Sequence, residues 1–429
     1  MTFDVAVGVT GAQLNVASQA LYQALYPRVF TGSQQVTYQG LSFTVEFDVQ
    51  AAPQFDLSGA ATTKPADTAA LLGAELAAQR PSVGEPPEDV HALLAAVAPA
   101  LPTFSVQLPG VAMKLSSGTT TSLTLPLTVQ CGIANSGSTI SFLPYAVTAP
   151  QQSDPVTNYL VQSIVLPAVK GMMQQLLAGI TIPPISVPGV ALSAPSLGIV
   201  QGAVIAAVNL ASSGTPPPPD GSITWPTTPF FTLLGPRVIQ QLVVNAMAST
   251  TNRFSDSGSG GDFWGGYRWS YGLSLTSPQT SIQGTSIAMS FTLQGGVSAG
   301  VHVTWLSVDL GFDAYARPNP SLVAGASIRG GQLVLTTQSV APFTIFVVPN
   351  SVPSWVLGWI IAAIINAVVT SLTPLVTVFL KDIDIESFSI PTYSVAVGDT
   401  RLTLTPSDLS IQNVAEMLAL TGTATISQG

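Results

Sequence analysis

One pattern of residues occurs twice in this chain, each time just after a long apolar segment. The first copy reads Ile185-Ser186-Val187-Pro188, then Val190, Leu192, Pro195, Leu197 and Ile199. The second reads Phe388-Ser389-Ile390-Pro391, then Val395, Val397, Leu402, Leu404, Pro406, Leu409 and Ile411. The shared skeleton is apolar-Ser-apolar-Pro, an alternating run, a second Pro, and Leu-x-Ile. The upstream segments, at roughly 154–178 and 353–380, read as matching helices. A repeat spaced by about two hundred residues describes two copies of a domain, not a solenoid of short units.

Each copy has the content of an α+β unit. Residues 2–9 alternate as a short strand, and 12–26 carry Leu14, Ala17, Ser18, Leu21 and Leu25 near one helical face before Pro27. Residues 36–50 alternate again, with a hairpin expected around Gln39-Gly40. Residues 60–100, with seven charged side chains, Ala-rich stretches and Pro81, Pro86 and Pro87, read as an exposed insertion. Strands are expected over 103–147, with turns at Ser116-Ser117-Gly118 and Asn135-Ser136-Gly137. Asp154-Pro155 then starts a helix with an acidic cap and Pro in its first turn, Pro167 is expected to kink it, and Gly179 to end it.

Ser212 to Gly221 contains four consecutive prolines and is expected to be a stiff polyproline spacer near the midpoint. The second copy restarts at Gly235 with a helix carrying Val238, Ile239, Leu242, Val243 and Met247. A Gly/Ser loop at 255–266 and strands through 267–348 follow, with Tyr267, Trp269, Tyr271, Leu273 and Leu275 on one face. The expected domains are therefore 1–212 with the insertion, a linker at 213–221, and 222–429.

Composition narrows the function classes. Only 8% of residues are charged, against about 25% in ordinary soluble proteins. The net charge is −9 and the 12 Lys and Arg do not cluster. A nucleic-acid groove needs several basic contacts, so no nucleic-acid partner is expected, and an acidic chain is not drawn to anionic membranes. The lone Cys131 reads as a small buried hydrophobe on a strand. Met1-Thr2-Phe3-Asp4 shows neither a basic nor an apolar leader pattern, which favours the cytoplasm or release by a route without a cleaved signal.

Signals for chemistry are few. With one Cys and two His, His91 and His302, no zinc site and no cofactor is expected. His302 lies between Val301 and Val303 on an alternating strand and reads as a solvated strand-face residue. Asp382, Asp384 and Glu386 share one strand face. A calcium site is the sharper reading, but no EF-hand spacing supports it, and a solvated face over inward Ile383 and Ile385 is the plainer one. Gly258-Ser259-Gly260-Gly261 has no following Lys-Ser/Thr and leads into a strand, which favours a hairpin tip over a phosphate loop. No acid/base pair or nucleophile stands out, so no enzyme activity is expected.

Residues 330–380 contain no charge, and Trp355 to Thr373 approaches the length of a bilayer span. Asn366 within it, Pro353 and Pro374 at its bounds, an acidic following flank, and the Gln- and Lys-bearing helix of the first copy favour a helix packed on a sheet, with no membrane span.

The order strand, helix, long β section, long apolar helix, Pro-marked strands resembles the tubular lipid-binding (TULIP) superfamily over nearly the whole chain. Leu14-Asn15-Val16-Ala17-Ser18-Gln19 on the first helix is similar to its bactericidal/permeability-increasing branch. The resemblance implies two tandem TULIP-like modules, each a long helix wrapped by a highly curved antiparallel sheet. Lacking a disulfide and a basic tip, the chain looks more like the bacterial TULIP proteins encoded beside toxin genes. Non-catalytic binding or transfer of a lipid, fatty acid or other hydrophobe in an apolar tube is then expected. A slot lined by Leu, Ile, Val and Met would hold an acyl chain at roughly 0.8 kcal/mol per buried CH₂. The candidate wall is Leu14, Leu21, Leu25, Ile164, Met172 and Leu176 in the first module, and Leu242, Met247, Leu357, Ile361, Ile364 and Val368 in the second. The alternative is a structural or interaction protein, for example a toxin-cluster accessory component, with tubes filled by side chains and an aromatic face at Tyr267, Trp269 and Tyr271 meeting a protein partner.

Overall fold

The computed structural model describes residues 3–38, 41–62, 102–117, 119–136, 139–178, 185–249, 253–262, 265–303, 306–350, 358–390, 392–397 and 400–428. The insertion beyond Thr62, with His91, lies outside the described residues, as do Gln39-Gly40, Gly179 and Leu357. The described elements are α+β and mostly antiparallel sheet.

The first part holds β1 (Val5–Thr10), α1 (Gly11–Leu25), β2 (Thr31–Tyr38), β3 (Leu41–Val49), β4 (Gln54–Thr62), β5 (Pro102–Ser117), β6 (Thr119–Ser136) and β7 (Thr139–Thr148). A helix follows in three pieces: α2 (Pro155–Leu160), a π turn over Val161–Val165, and α3 (Leu166–Ala178). Then come β8 (Ser196–Val200) and β9 (Ala203–Val208). The second part holds β10 (Phe230–Leu234), α4 (Pro236–Ser249), β11 (Arg253–Asp262), β12 (Gly265–Gln283), β13 (Ser286–Val303) and β14 (Leu306–Arg317). It continues with β15 (Ser321–Arg329), β16 (Gln332–Val340), β17 (Thr344–Pro349), α5 (Gly358–Lys381), β18 (Asp384–Ser389), β19 (Tyr393–Val397), β20 (Thr400–Val414) and β21 (Met417–Gln428).

A central antiparallel sheet has the order β19-β20-β21-β10-β1-β9-β8. Strands from both sides of the Pro-rich stretch are therefore zipped together along the β1–β10 ladder, where Val7 faces Thr232. Two flanking sheets are each drawn from one side. One has the order β2-β3-β5-β6-β7, with β4 on β5. The other runs β11-β12-β13-β15-β16-β18, with β14 and β17 branching from β13.

The central sheet is symmetric in register. The pairs Leu197↔Ala206, Ile199↔Val204 and Val200↔Ala203 of the β8–β9 hairpin become, with 214 added to each number, Ile411↔Leu420, Asn413↔Leu418 and Val414↔Met417 of the β20–β21 hairpin. The hairpin turns coincide as well. Gln201 and Gly202 have φ of 51° and 76°, Ala415 and Glu416 have 50° and 62°, the left-handed pair that two-residue hairpins need. Close packing on this sheet leaves no room for a side chain at Gly8, whose Cα sits under the Phe231 ring. Asp4, almost fully buried, holds the junction: it accepts 2.7 Å from Arg237 Nε on α4 and 2.8 Å from the Leu210 N–H after β9.

The proline stretch, expected from its composition to be a stiff spacer, packs on the central sheet. Pro216 and Pro219 are buried while Pro217 and Pro218 are exposed, as one side of a three-residue polyproline turn would be. The stretch lies across the β8–β9 hairpin. Ser196 Oγ donates to the Pro216 carbonyl, and a Cβ at Gly198 would sit 2.6 Å from the Pro219 oxygen. Trp225 then plugs the sheet face, stacked on Phe3 at 5.4 Å and donating from Nε1 to the Asp220 carbonyl at 2.7 Å.

The helices follow the sequence with two differences. α1 is capped by Thr10, and the Asn15 and Ser18 of its Leu-Asn-Val-Ala-Ser-Gln piece serve the backbone beside β4. Asn15 bonds both polar groups of Phe55, and Ser18 donates to the Pro53 carbonyl. At Pro167 the missing N–H is absorbed by widening the preceding turn, where the Leu166 N–H reaches back to the Val161 carbonyl. Pro374, expected to bound the last helix, lies inside it on an exposed side, and α5 continues to Lys381.

Candidate functional site

The site is built on α5. Its fully buried side chains are Ile360, Ile364, Val368, Leu372, Val376 and Leu380, spaced by four. Beside them runs a half-buried line through Ile361, Ile365, Val369, Thr373 and Thr377. Gly358, Ala362, Asn366, Thr370, Pro374 and Val378 form an exposed line with the same spacing, flanked by Trp359 and Leu375. Trp359 is 51% exposed, Leu375 45% and Val378 55%. Four residues overshoot one turn by roughly 40° in a regular α-helix, so the buried and exposed lines each wind by about 200° over their length. The covering surface must wind with it, and it leaves one uncovered, uncharged strip along the helix. By length and composition α5 also matches a membrane span, and 28% of its most apolar window is buried.

The sheet facing α5 is apolar on its inner face. Tyr271, Val297 and Phe312 form one cross-strand row, all buried. Trp269, Ala299 and Leu310 form the next, and Tyr267, Val301 and Val308 the outermost. Tyr267, Trp269 and Val308 are only partly buried against this core, so coverage thins toward the end of the β11–β12 hairpin. The outer face between these rows carries Arg268, Ser270, Ser298 and Asp309. The Gly258-Ser259-Gly260 segment is strand, not loop. Its glycines seat aromatic rings across the ladder: Trp269 lies over Gly258 and Tyr267 over Gly260, where a Cβ would come within 2.7 Å of either ring. Bare backbone under a large ring is a known way to fix strand register.

One polar group sits inside. The Tyr271 hydroxyl is buried beside Ser371 of α5, whose own hydroxyl donates to the Val368 carbonyl at 3.1 Å. Burial is the main cause holding the phenol above its ordinary pKa, so it stays a neutral donor.

The expected wall residues fall into separate clusters. Leu242, Met247, Ile364 and Val368 are buried together in the core under α5, with Ile361 half-buried beside them. Leu25 is buried, and Leu14 and Leu21 half-buried, in the core of the first sheet. Ile164 is buried with Ala168, Val45 and Leu115 in a smaller cluster. The side chains of Met172 and Leu176 lie outside the described residues. The uncovered strip of α5 escaped the sequence reading, which expected a charge-free helix packed on a sheet. The period of four was legible, but not which of the four lines faces out.

The remaining signals resolve simply. His302 is exposed on β13, its Nδ1 2.8 Å from Ser307 Oγ across the hairpin, while its neighbour Val301 is buried. Ile383 is buried and Asp382 exposed, while the Asp384 and Glu386 side chains lie outside the described residues. No group of three or more metal-ligating side chains occurs among the described residues. Cys131 is buried on β6, and burial pushes its thiol up to about 12. It therefore stays protonated at pH 8 and shielded. A thiol reagent should leave the native protein unmodified and label one equivalent after unfolding; native labelling at the rate of a free thiol would contradict this burial.

No family model and no curated protein matches the chain. Among solved structures, P47 of Clostridium botulinum E1 is similar at 9% identity, covering 99% of both chains with a TM-score of 0.46. P47 from Clostridium botulinum A2 is similar at 10% identity over 99% of this chain and 97% of that one, with a TM-score of 0.45. A lipopolysaccharide binding protein is similar at 11% identity over 99% of both chains, with a TM-score of 0.31. These scores lie below the level at which a shared fold follows from them.

Proposed function

We propose that the chain is a non-catalytic binder of an acyl lipid or similar hydrophobe, built as two TULIP-like modules, 1–212 and 222–429. The observation that carries the ligand reading is the uncovered strip of α5: a winding, charge-free path with Trp359, Leu375 and Val378 open along it. Soluble proteins rarely leave such a path bare, and a flexible apolar chain can follow its curvature. The half-buried Ile361, Ile365 and Trp269 would wall the ligand, and Tyr271 with Ser371 would offer one polar contact.

The modular part of the reading draws support from the chain's own geometry. The two hairpins share register and turn conformation in the central sheet. Val161, Val165, Val169 and Met173 repeat in the first half the spacing of the buried line on α5. That winding line is what a helix needs if a curved sheet coils around it. No enzyme chemistry is part of the proposal.

The test is direct. Purified protein, extracted with organic solvent and measured by mass spectrometry, should release lipid, and stripped protein should take up a fluorescent acyl probe. Ala362→Asp, on the exposed line, should weaken that uptake at least tenfold, about 1.4 kcal/mol, while its unfolding midpoint stays near that of the wild type. Absence of both co-purified lipid and probe uptake would sink the ligand reading.

A second reading, a protein-interaction component with filled interiors, is favoured by the outer face of β17. Phe346 and Val348 are 41% and 44% exposed there, and Phe346 stacks on Tyr315 at 5.6 Å. The Tyr267–Trp269–Tyr271 face, by contrast, lines the core side of its sheet. Capture of one stoichiometric protein partner, lost in Phe346→Ser and coupled to absence of lipid, would favour this alternative.

A further inference from the structure

A cleft of about 350 Å³ lies on the other side of the sheet from the α5 strip. It is a separate feature and does not rest on the lipid reading. Its floor is one cross-strand row, Ser281↔Ala288↔Val323↔Ser339, running over β12, β13, β15 and β16. The adjacent row on the same face brings Ser290 opposite Ser321. These positions alternate with Met289 and Leu322, which point into the core.

Two breaks in register make the surface concave. The β12–β13 ladder slips between Thr276 and Gln279, and the β15–β16 ladder slips between Val323 and Ala324. Bulges bend the strand that carries them. Here they flank the same four-strand patch, and the small side chains of Ala and Ser leave the resulting hollow unfilled.

The chemistry of the lining is specific in one respect. No Asp, Glu, Lys, Arg or His lines the cleft, so it offers no counter-charge to an ion. It offers instead the four serine hydroxyls of these two rows, each a donor and an acceptor, around the methyl groups of Ala288 and Val323, with Thr280 and the amides of Gln279 and Gln283 beside them. None of the four is engaged by another described residue. A hydroxyl rim around a small apolar floor matches a molecule with hydroxyls at its edge and C–H groups on its face. The volume is at the lower end of small-molecule sites.

We propose that this cleft is a binding site for a neutral sugar of one or two pyranose rings. The experiment is saturation-transfer NMR on the full-length protein with glucose, galactose, N-acetylglucosamine and maltose, each at millimolar concentration, with glutamate as a charged control. At least one sugar should receive saturation and glutamate none. Ser281→Trp and Ser339→Trp, both exposed positions on the rim, should each reduce the sugar signal about tenfold or more while the melting temperature holds. If one variant fails to fold, the other decides. No transfer to any of the four sugars from the folded wild type would overturn the proposal, and so would a signal that survives in a folded rim variant.

Discussion

Ile364→Asp should unfold the second half of the chain. Ile364 has no exposed surface and sits in the middle of the buried line of α5, between Ile360 and Val368. No Lys, Arg or His is buried among the described residues, so none waits in the core to pair with a carboxylate. The new acid must either be buried as an ion or protonate at a cost, and α5 carries no charge before Lys381. An uncompensated buried polar or charged group is among the few changes that exceed about 4 kcal/mol. That is most of the stability of a typical domain, about 5–15 kcal/mol. Urea unfolding should show the loss, with collapse of the near-ultraviolet signal of the stacked Trp269 and Tyr271. Asn366→Asp, two residues along on the exposed line, should move the midpoint by less than about 0.5 kcal/mol. Equal effects of the two changes would refute the one-sided burial of α5. If α5 instead spans a bilayer, the wild type will fractionate with membranes and need detergent, and the acid will impair insertion by about 3 kcal/mol.

Trp225→Ala should cost about 3–5 kcal/mol, the range for removing a large buried aromatic side chain. Trp225 is 2% exposed and touches Phe3 and Phe231 on one face of the central sheet. Its backbone N–H is taken by Gln201 at 3.2 Å and its ring N–H by Asp220. Loss of the ring opens a gap in a cluster where Ala6, Ala203 and Ala207 are too small to close it. The proline stretch should loosen with it, so limited proteolysis between Ser212 and Thr228 is the second readout. A variant as stable and as protease-resistant as the wild type would show that the stretch is a spacer after all.

The two predictions differ in how far the sequence foresaw them. The apolar helix at 353–380, its lack of charge and its place before the Ser-Ile-Pro motif are visible in the residue order. So are the short strand before α1, the helix restarting near Gly235, and the paired strands β2 and β3. Each rests on local chemistry: alternation, period, a cap or a proline. The repeat was legible too, but its alignment was not. The motif sets Leu197 against Leu409, whereas the ladders set it against Ile411. The offset is two residues, one full period of a strand, so the apolar pattern looks the same in either alignment. Only the pairing partners distinguish them.

The packing of the proline stretch and the seating of rings on the glycine run lay outside the sequence reading for a related reason. Composition marks Pro216 to Pro219 as stiff and Gly258 to Gly261 as unhindered, which is correct in both cases. Whether stiffness makes a spacer or a strap depends on whether a surface lies within reach. The β8–β9 hairpin provides it through Ser196, Gly198 and Gln201. Whether bare glycines make a loop or a seat depends on what stands across the ladder, and Trp269 and Tyr267 stand there.

The sequence by itself determined the main elements, the recurring Ser-x-Pro pattern, and the absence of charge along the last helix, because these are properties of neighbours in the chain. The tertiary structure decided which side of that helix stays open, how strands from both sides of the proline stretch share a sheet through β1 and β10, and where the bulged strands leave a hollow. Those depend on contacts between residues more than two hundred positions apart, such as Asp4 with Arg237. Such contacts form only when the whole chain closes on itself, and no local pattern encodes them.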